Sequence, residues 1–319
     1  MLAPPLLVSY STIEDYLSAL PEDVREQYEA EIRSLVDRGL PPIVSSSCLA
    51  VLFGFSVKFV NAMLLQNYKY YREFIVRKGN KKRKIQAPKV SIKVIQKWFS
   101  YYLTQTLPVD DYVFGFVPGR SAVDAAQRHC DSNWVYSVDI KDFFSTTNEV
   151  VVKRALYELG YSQKACDLIV PLCCYFENLA QGSPASPVLS NLVMKPIDES
   201  LFALSVEHGI AFTRYADDIV FSGSGVFPVI LRQNIQDIFA GTCWELSANK
   251  EYFSDATKGQ RLKVHGLLVN GEKARLTKGY RNKVRAYKHL ISSGKVKDKD
   301  FRRLIGHVKY SESVENNGE

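Results

Sequence analysis

Two adjacent carboxylates, Asp217 and Asp218, stand inside an otherwise apolar stretch. Ile210-Ala211-Phe212-Thr213-Arg214-Tyr215 precedes them, Ala216 intervenes, and Ile219-Val220-Phe221 follows. Aromatic and β-branched residues on both flanks predict strands, so the pair falls at the tip of a strand-turn-strand. A core excludes two bare charges, and like charges this close stay ionised only beside a cation. Asp is common in turns, so such a pair taken alone is more often an ordinary turn than a site.

A second segment changes that balance. Val135-Tyr136-Ser137-Val138-Asp139-Ile140 also reads as an apolar strand, with Asp139 inside it. By period two, Val135, Ser137 and Asp139 share one face, and Tyr136, Val138 and Ile140 share the other. Two strands that deliver Asp to one spot make a hard oxygen-ligand site suited to Mg²⁺. Two Mg²⁺ ions roughly 3.5–4 Å apart clamp the attacking and leaving oxygens of an in-line phosphoryl displacement. That is the chemistry of a nucleic-acid polymerase.

These residues carry a family resemblance. Tyr215-Ala216-Asp217-Asp218 resembles the catalytic box of reverse transcriptases, and the other boxes follow in the family's order. Phe114-Gly115-Phe116-Val117-Pro118-Gly119-Arg120-Ser121 resembles a fingers motif, and residues 138–144 the first palm motif. Gln181-Gly182-Ser183-Pro184-Ala185-Ser186-Pro187 resembles the QGxxxSP box, Asn249-Lys250 the next palm box, and Val264-His265-Gly266-Leu267 the last. The resemblance covers roughly residues 70–310. A short basic segment follows Gly266, which implies no integrase, RNase H, maturase or endonuclease domain. The compact chain most resembles the bacterial retron-type reverse transcriptases. Where those enzymes often show Asn-Ala-x-x-His, this chain has Ala125-Ala126-Gln127-Arg128-His129. Where they often show Val-Thr-Gly, it has Val264-His265-Gly266.

The resemblance implies roles. Asp139 and Asp217 are the principal metal ligands and Asp218 supports them, holding two Mg²⁺ per active site. Phe144 is the bulky residue under the sugar that excludes ribonucleotides; otherwise it is a core Phe at a strand end. Gln181 and Gly182 approach nucleotide and template. Arg83, with Lys84, grips the triphosphate. Lys250 lies near the catalytic carboxylates and contacts nucleic acid, or forms a structural salt bridge. His129 is a structural histidine sooner than a catalytic one. The implied partners are deoxynucleotides, a dedicated structured non-coding RNA serving as template and primer, and the RNA–DNA product. A separate effector protein and a role in anti-phage defence are also implied. Two other readings stay open: another stand-alone bacterial reverse transcriptase (intron-derived or diversity-generating), and a catalytically silent RNA-binding protein on the same scaffold. The intact Asp139, Asp217 and Asp218 set argues against the second.

Charge distribution supports a polyanionic partner. The net charge is +7, but residues 1–50 hold eight acids against three bases, whereas residues 273–310 hold 13 Lys and Arg against Asp298 and Asp300. The C-terminal segment is therefore the electrostatic footprint, with Lys278, Arg281, Lys283, Arg285 and Lys288 as candidate phosphate contacts. Tyr280, Tyr287 and Phe301 are interleaved there, either for base stacking or as thumb core. A second run, Arg77-Lys78-Gly79-Asn80-Lys81-Lys82-Arg83-Lys84, reads as a basic hairpin. Met1-Leu2-Ala3-Pro4-Pro5 is not a signal peptide, Leu168 to Phe176 is too short to span a bilayer, and six Cys lack C-x-x-C spacing. These features place the chain in a reducing cytoplasm, off the membrane.

Periodicity predicts helices over 11–38, 47–66 and 148–159, one capped by Ser91, one opened by Pro187 and kinked at Pro196, one opened by Pro228, and a basic helix over 278–292 capped by Thr277. Strand hairpins with helices segregated from them argue an α+β fold. With the resemblance, that becomes a right-hand polymerase: a helical N-terminal extension over 1–45, fingers over 46–134, a palm over 135–266 with inserted fingers helices at about 153–185, and a basic helical thumb over 267–319. In that frame His265 tunes the palm-to-thumb junction without touching the chemistry.

Overall fold

A four-stranded antiparallel sheet carries both Asp-bearing segments, in the order Ala211–Tyr215, Asp218–Gly223, Trp134–Asp139, Tyr252–Asp255. The computed structural model describes residues 6–78, 81–294 and 296–316. Met1–Pro5, Gly79-Asn80 of the basic hairpin, Lys295 and the last three residues lie outside the described residues. The fold is α+β. Two compact units share it: Met1–Val109, Lys141–Pro196 and Gly241–Trp244 form one, and Asp110–Ile140, Ile197–Ala240 and Glu245–Glu319 the other.

The second unit is built on that sheet. Its central strand, Trp134–Asp139, is buried on both faces except at Ser137. The expected alternation is therefore muted, because the sheet is covered on both sides. One side packs Trp134 and Tyr136 against Phe227, which also meets Phe253, and the Arg232 guanidinium lies over this aromatic group. On the other side Val135 and Val220 join Val264, Leu267 and Leu276 of a small three-stranded sheet, the flanking Leu262 and Val269, and Val314 of the last helix. Burying such aliphatic side chains contributes about 1.5–3 kcal/mol each. His129 is fully buried with Nδ1 2.8 Å from Ser222 Oγ and Nε2 2.7 Å from Thr213 Oγ1. Burial pulls its pKa down to about 3, so the ring is a neutral cross-strand bridge, as its structural reading required.

Helices Lys278–Ser292 and Asp298–Glu315 close this unit. Thr277 caps the first, accepting from the Tyr280 N–H, as its position predicts. The Tyr280 hydroxyl lies 2.7 Å from His307 Nδ1 and its ring meets Tyr310 edge-on, while Tyr287 packs on His307. Both tyrosines thus knit the helix pair together and are not free stacking platforms; Phe301 is exposed.

The first unit is mostly helical. The expected helix over 11–38 is two, Ile13–Ser18 and Glu22–Asp37, broken at Pro21. The one over 47–66 is also two, Ser46–Phe53 and Val57–Leu65, because Gly54 turns left-handed between them (φ 66°). Ser91 is not a cap: the chain leaves strand Lys81–Pro88 straight into helix Val90–Thr106, with Lys89 at the cap position. Helix Glu149–Glu158 is capped by Asn148, whose side chain accepts from the Val151 N–H. Helix Ser186–Glu207 runs on with Pro196 inside it. Among the described residues no single helix is long and apolar enough to cross a membrane; only the bent pair Ser46–Phe53 and Val57–Leu65 meets that length and composition when taken together.

Candidate active site

Register brings the carboxylates together. Trp134–Asp139 pairs with Asp218–Gly223 so that Asp139 lies opposite Asp218, and Tyr215 lies opposite Asp218 on the other side. The hairpin turn is thus Ala216-Asp217 alone, with Ala216 held at φ 58°. The Ile140 N–H donates to the Asp217 carbonyl at 3.0 Å, which pins the turn to the end of the Asp139 strand. Two strands and one turn therefore deliver three carboxylates to one end of the sheet.

Electrostatics there is strained in the direction a cation would relieve. Burial pushes the Asp217 carboxyl up, and the neighbouring charges of Asp139 and Asp218 push it further. Lys250 offsets part of this. It sits on the short turn Ala248–Lys250, which Ser247 ties to the sheet by donating its N–H to the Asp139 carbonyl at 2.8 Å. Its ammonium forms an ion pair with Asp139 Oδ1. Burial works to lower the Lys250 pKa, but the hydrogen bond and charge of Asp139 outweigh it and hold the ammonium above its ordinary range. So Lys250, expected on nucleic acid or in a salt bridge, is in the salt bridge, among the carboxylates.

Beneath the turn lies a pair that sequence reasoning missed. Arg214 is fully buried; its Nε and Nη2 donate to the two oxygens of Asp198 at 2.6 Å each, and Nη1 donates to the Ala216 carbonyl at 3.1 Å. A planar guanidinium thus grips a carboxylate on helix Ser186–Glu207 with one edge and the Ala216-Asp217 turn with the other. Part of the signal was available: one Arg in an apolar strand requires an acidic partner, but Asp198 and Glu199 stand side by side after Pro196 and the sequence does not choose between them. A second support is Gly115. The Phe114 N–H donates to the Arg214 carbonyl at 2.8 Å, and a Cβ on Gly115 would overlap the Ala216 backbone. The Phe-Gly-Phe motif therefore lets backbone pack on backbone under the carboxylates.

A cavity of about 600 Å³ opens beside this cluster, lined by Tyr215, Asp218, Tyr252, Lys263, His265 and Gly266 among others. His265 was expected away from the chemistry. Its Nδ1 instead lies 3.5 Å from Asp218 Oδ2.

The nucleotide-binding candidates fall in the first unit. Arg83 and Lys84 lie on strand Lys81–Pro88, opposite Val76 and Ile75 of strand Tyr71–Lys78. Both basic side chains are exposed, and Lys84 pairs with Glu73 at 2.9 Å. The Gln86 N–H donates to the Gln181 carbonyl at 2.9 Å, and the Gln181 N–H to Gln86 Oε1 at 3.3 Å. Gly182, at φ 133°, would place a Cβ 3.0 Å from the Gln86 carbonyl. Its glycine thus serves the approach of the basic hairpin's backbone. Phe144 is half-buried on the one-turn helix Phe143–Thr146, while the neighbouring Phe143 is the buried ring. In the second unit Lys278, Arg281, Lys283, Arg285 and Lys288 are all exposed. Lys283 lies over the Tyr287 ring and Lys288 pairs with Glu312 at 3.5 Å.

Three carboxylates and no soft donor suit a hard divalent cation, and the raised Asp217 is a group such a cation would settle. Among the described residues no group of three or more His, Cys, Asp and Glu closes into a metal cage.

Residues 75–250 match the family described as reverse transcriptase (RNA-dependent DNA polymerase). Among curated proteins, the chain is 27% identical over 290 residues to the Retron Ec86 reverse transcriptase of Escherichia coli, covering 85% of this chain and 90% of that one. It is 29% identical over 298 residues to the Retron Mx162 reverse transcriptase of Myxococcus xanthus, covering 81% of this chain and 60% of that one. Among solved structures, telomerase from Candida albicans in complex with a TWJ fragment of telomeric RNA covers 73% of this chain and 54% of that chain, at a TM-score of 0.48 and 10% identity; nothing further rests on that likeness.

Proposed function

The chain belongs to the reverse transcriptase family, RNA-dependent DNA polymerases, and is of the retron type; from that premise we propose that it copies one dedicated structured RNA into a DNA joined to that RNA by a 2′ branch. The observation that carries the polymerase part is the meeting of Asp139, Asp217 and Asp218 at one end of one sheet, with Lys250 among them. The retron relatives, similar over most of this chain, support the rest. An RNA template and nucleotide substrates, and a divalent metal, follow from the family; two Mg²⁺ per site, a self-primed start from a 2′-hydroxyl, and service beside an effector in defence against phage are the finer reading.

Asp139, Asp217 and Asp218 would hold the metal ions. When bound, those ions would lower the pKa of the primer hydroxyl and offset charge on the α-phosphate. The primer oxygen loses its proton and bonds to the α-phosphorus, the bond to the β-phosphate oxygen breaks, and pyrophosphate leaves. Lys250 balances the charge of Asp139 while no phosphate is present. Arg214 and Gly115 hold the turn that presents Asp217, so its carboxylate needs no rearrangement when substrate arrives. Arg83 and Lys84 supply positive charge for the triphosphate. The basic hairpin and the Gln181-Gly182 loop act as one piece, because two hydrogen bonds join them.

The test is to purify the protein with its nucleic acid and sequence both strands. An RNA joined through a 2′ branch to a DNA copied from that RNA supports the reading. A linear DNA primed in trans points to another reverse transcriptase type, and the absence of any DNA copy defeats the polymerase reading.

Phe144 is assigned to the sugar contact. Phe144→Ala should admit ribonucleotides, shrinking the kcat/KM preference for deoxynucleotides at least about tenfold, the scale of removing a methylene or more from a snug pocket wall. Discrimination equal to the parent's would leave Phe144 as a packing residue.

Lys278, Arg281 and Arg285 recur at helical spacing on Lys278–Ser292, whereas Lys283 is engaged with a ring and Lys288 with a carboxylate. Neutralising the first three should weaken RNA binding and flatten its dependence on salt, by roughly 0.7–0.9 in log–log slope for each phosphate that is no longer neutralised. An unchanged slope would show that this face meets only solvent.

A further inference from the structure

His265 occupies a position that its own backbone disfavours. Val264 pairs with Leu267, so His265-Gly266 forms a two-residue hairpin turn, and both residues are left-handed (φ 49° and 82°). Asn-Gly or Gly-Gly fits such a turn best; an imidazole there carries a cost of order 1 kcal/mol or more. The strained residue has no surface role, since its side chain is only 6% exposed. The ring lies against Tyr215, with centroids 5.1 Å apart, at the last strand residue before the catalytic turn. Its two nitrogens are unlike. Among the described residues Nε2 is buried with no partner, whereas Nδ1 faces Asp218 Oδ2 at 3.5 Å. A buried N–H without an acceptor is the costlier orphan, so the proton belongs on Nδ1, pointing at the carboxylate. The separation is longer than a formed hydrogen bond, and interactions of this kind tighten when a site is loaded. Asp218 itself is half-exposed.

We infer that His265 is a positioning residue for the active site: its Nδ1–H holds one oxygen of Asp218 and fixes the direction in which the other is offered to the metal. The inference rests on the reading of Asp139, Asp217 and Asp218 as the metal-binding set. It explains why the chain keeps a strained imidazole at a turn that Asn or Gly would satisfy more easily. The ring is held between the small sheet that bears it and the hairpin that bears Asp218, so it ties the geometry of one to the other. Ligating carboxylates are commonly held in this way by a hydrogen bond from behind.

Two substitutions separate donation from turn strain, since both suit the left-handed position. His265→Asn keeps a donor where Nδ1 was; His265→Gly removes it. With the full chain and Mn²⁺ alone as probe, water-proton relaxation should show His265→Gly binding about tenfold or more weakly, with His265→Asn close to the parent, the scale of removing a hydrogen bond behind a ligand. Affinity for an RNA–DNA primer-template and the melting temperature should stay as in the parent for both, and extra Mn²⁺ should restore much of the missing kcat in the Gly variant. Equal Mn²⁺ affinity in His265→Gly and the parent overturns the inference. So does an equal loss in both variants, accompanied by a fall in melting temperature or in primer-template affinity, which would make the ring a packing or nucleic-acid contact. Asp217→Asn run alongside keeps the two levels apart: if it binds Mn²⁺ as tightly as the parent, the carboxylate reading itself has failed.

Discussion

Asp217→Asn should abolish RNA-directed DNA synthesis, by more than roughly a hundredfold in kcat, the scale of losing one charge-stabilising group in an active site, while leaving folding and RNA binding intact. The cause is the crowding at the turn. Burial and the charges of Asp139 and Asp218 all push the Asp217 carboxyl up. A folded pKa above the unfolded value means that ionisation opposes folding: the protein is most stable below the unfolded pKa, and that advantage is lost as pH rises through the folded one. The ionised form of Asp217 is thus a burden on the fold. Asn keeps the shape of the side chain and discards the charge. Its melting temperature should equal or exceed the parent's, whereas the metal-binding set loses a member. A structural aspartate would behave in the opposite way, losing stability and retaining activity. Primer extension with deoxynucleotides and Mg²⁺, beside thermal melting and RNA binding, decides between them; extension at the parental rate sinks the metal assignment.

The carboxylates were legible in the sequence because they break local rules. Asp139 and Asp218 are charges at the ends of apolar strands and Asp217 lies in the turn between two of them, and such conflicts concentrate at functional sites. The hairpin bounds and the Thr277 cap were legible because they depend on residues a few positions apart. What stayed hidden depends on register between segments distant in the chain. Nothing local tells that the His265 turn comes to rest on Asp218, which depends on which strands are neighbours; Lys250 near the carboxylates follows from the family resemblance and not from any local pattern. Tyr280 and Tyr287 were ambiguous for another reason. An aromatic residue in a basic helix has the same spacing whether it meets a base or a second helix, and only the packing of Asp298–Glu315 resolves it. Gly182 shows a third limit: a glycine signals close backbone approach, but not that its neighbour is the backbone of Gln86.

Asp198→Ala should cost about 3–5 kcal/mol of stability and take activity down with it, although Asp198 is buried and lies outside the carboxylate set read as metal-binding. Arg214 is wholly enclosed, and the Asp198 carboxylate balances its charge through two bonds of 2.6 Å. Burial pushes the Asp198 carboxyl up and the guanidinium pulls it back, so neither group is comfortable without the other. Removing one partner of such a pair leaves an uncompensated buried charge, which is the costly case; replacing both by apolar groups of similar volume is often neutral or stabilising. Asp198→Leu with Arg214→Met should therefore recover most of the loss in urea unfolding. Activity should not recover with it, because Arg214 also donates to the Ala216 carbonyl at 3.1 Å and methionine cannot. Stability and catalysis part company in the double variant if the guanidinium holds the catalytic turn; if they recover together, the pair serves the fold alone. A single Asp198→Ala variant with the parent's urea midpoint would show that Arg214 finds another partner, and the picture of a clamped turn would fall.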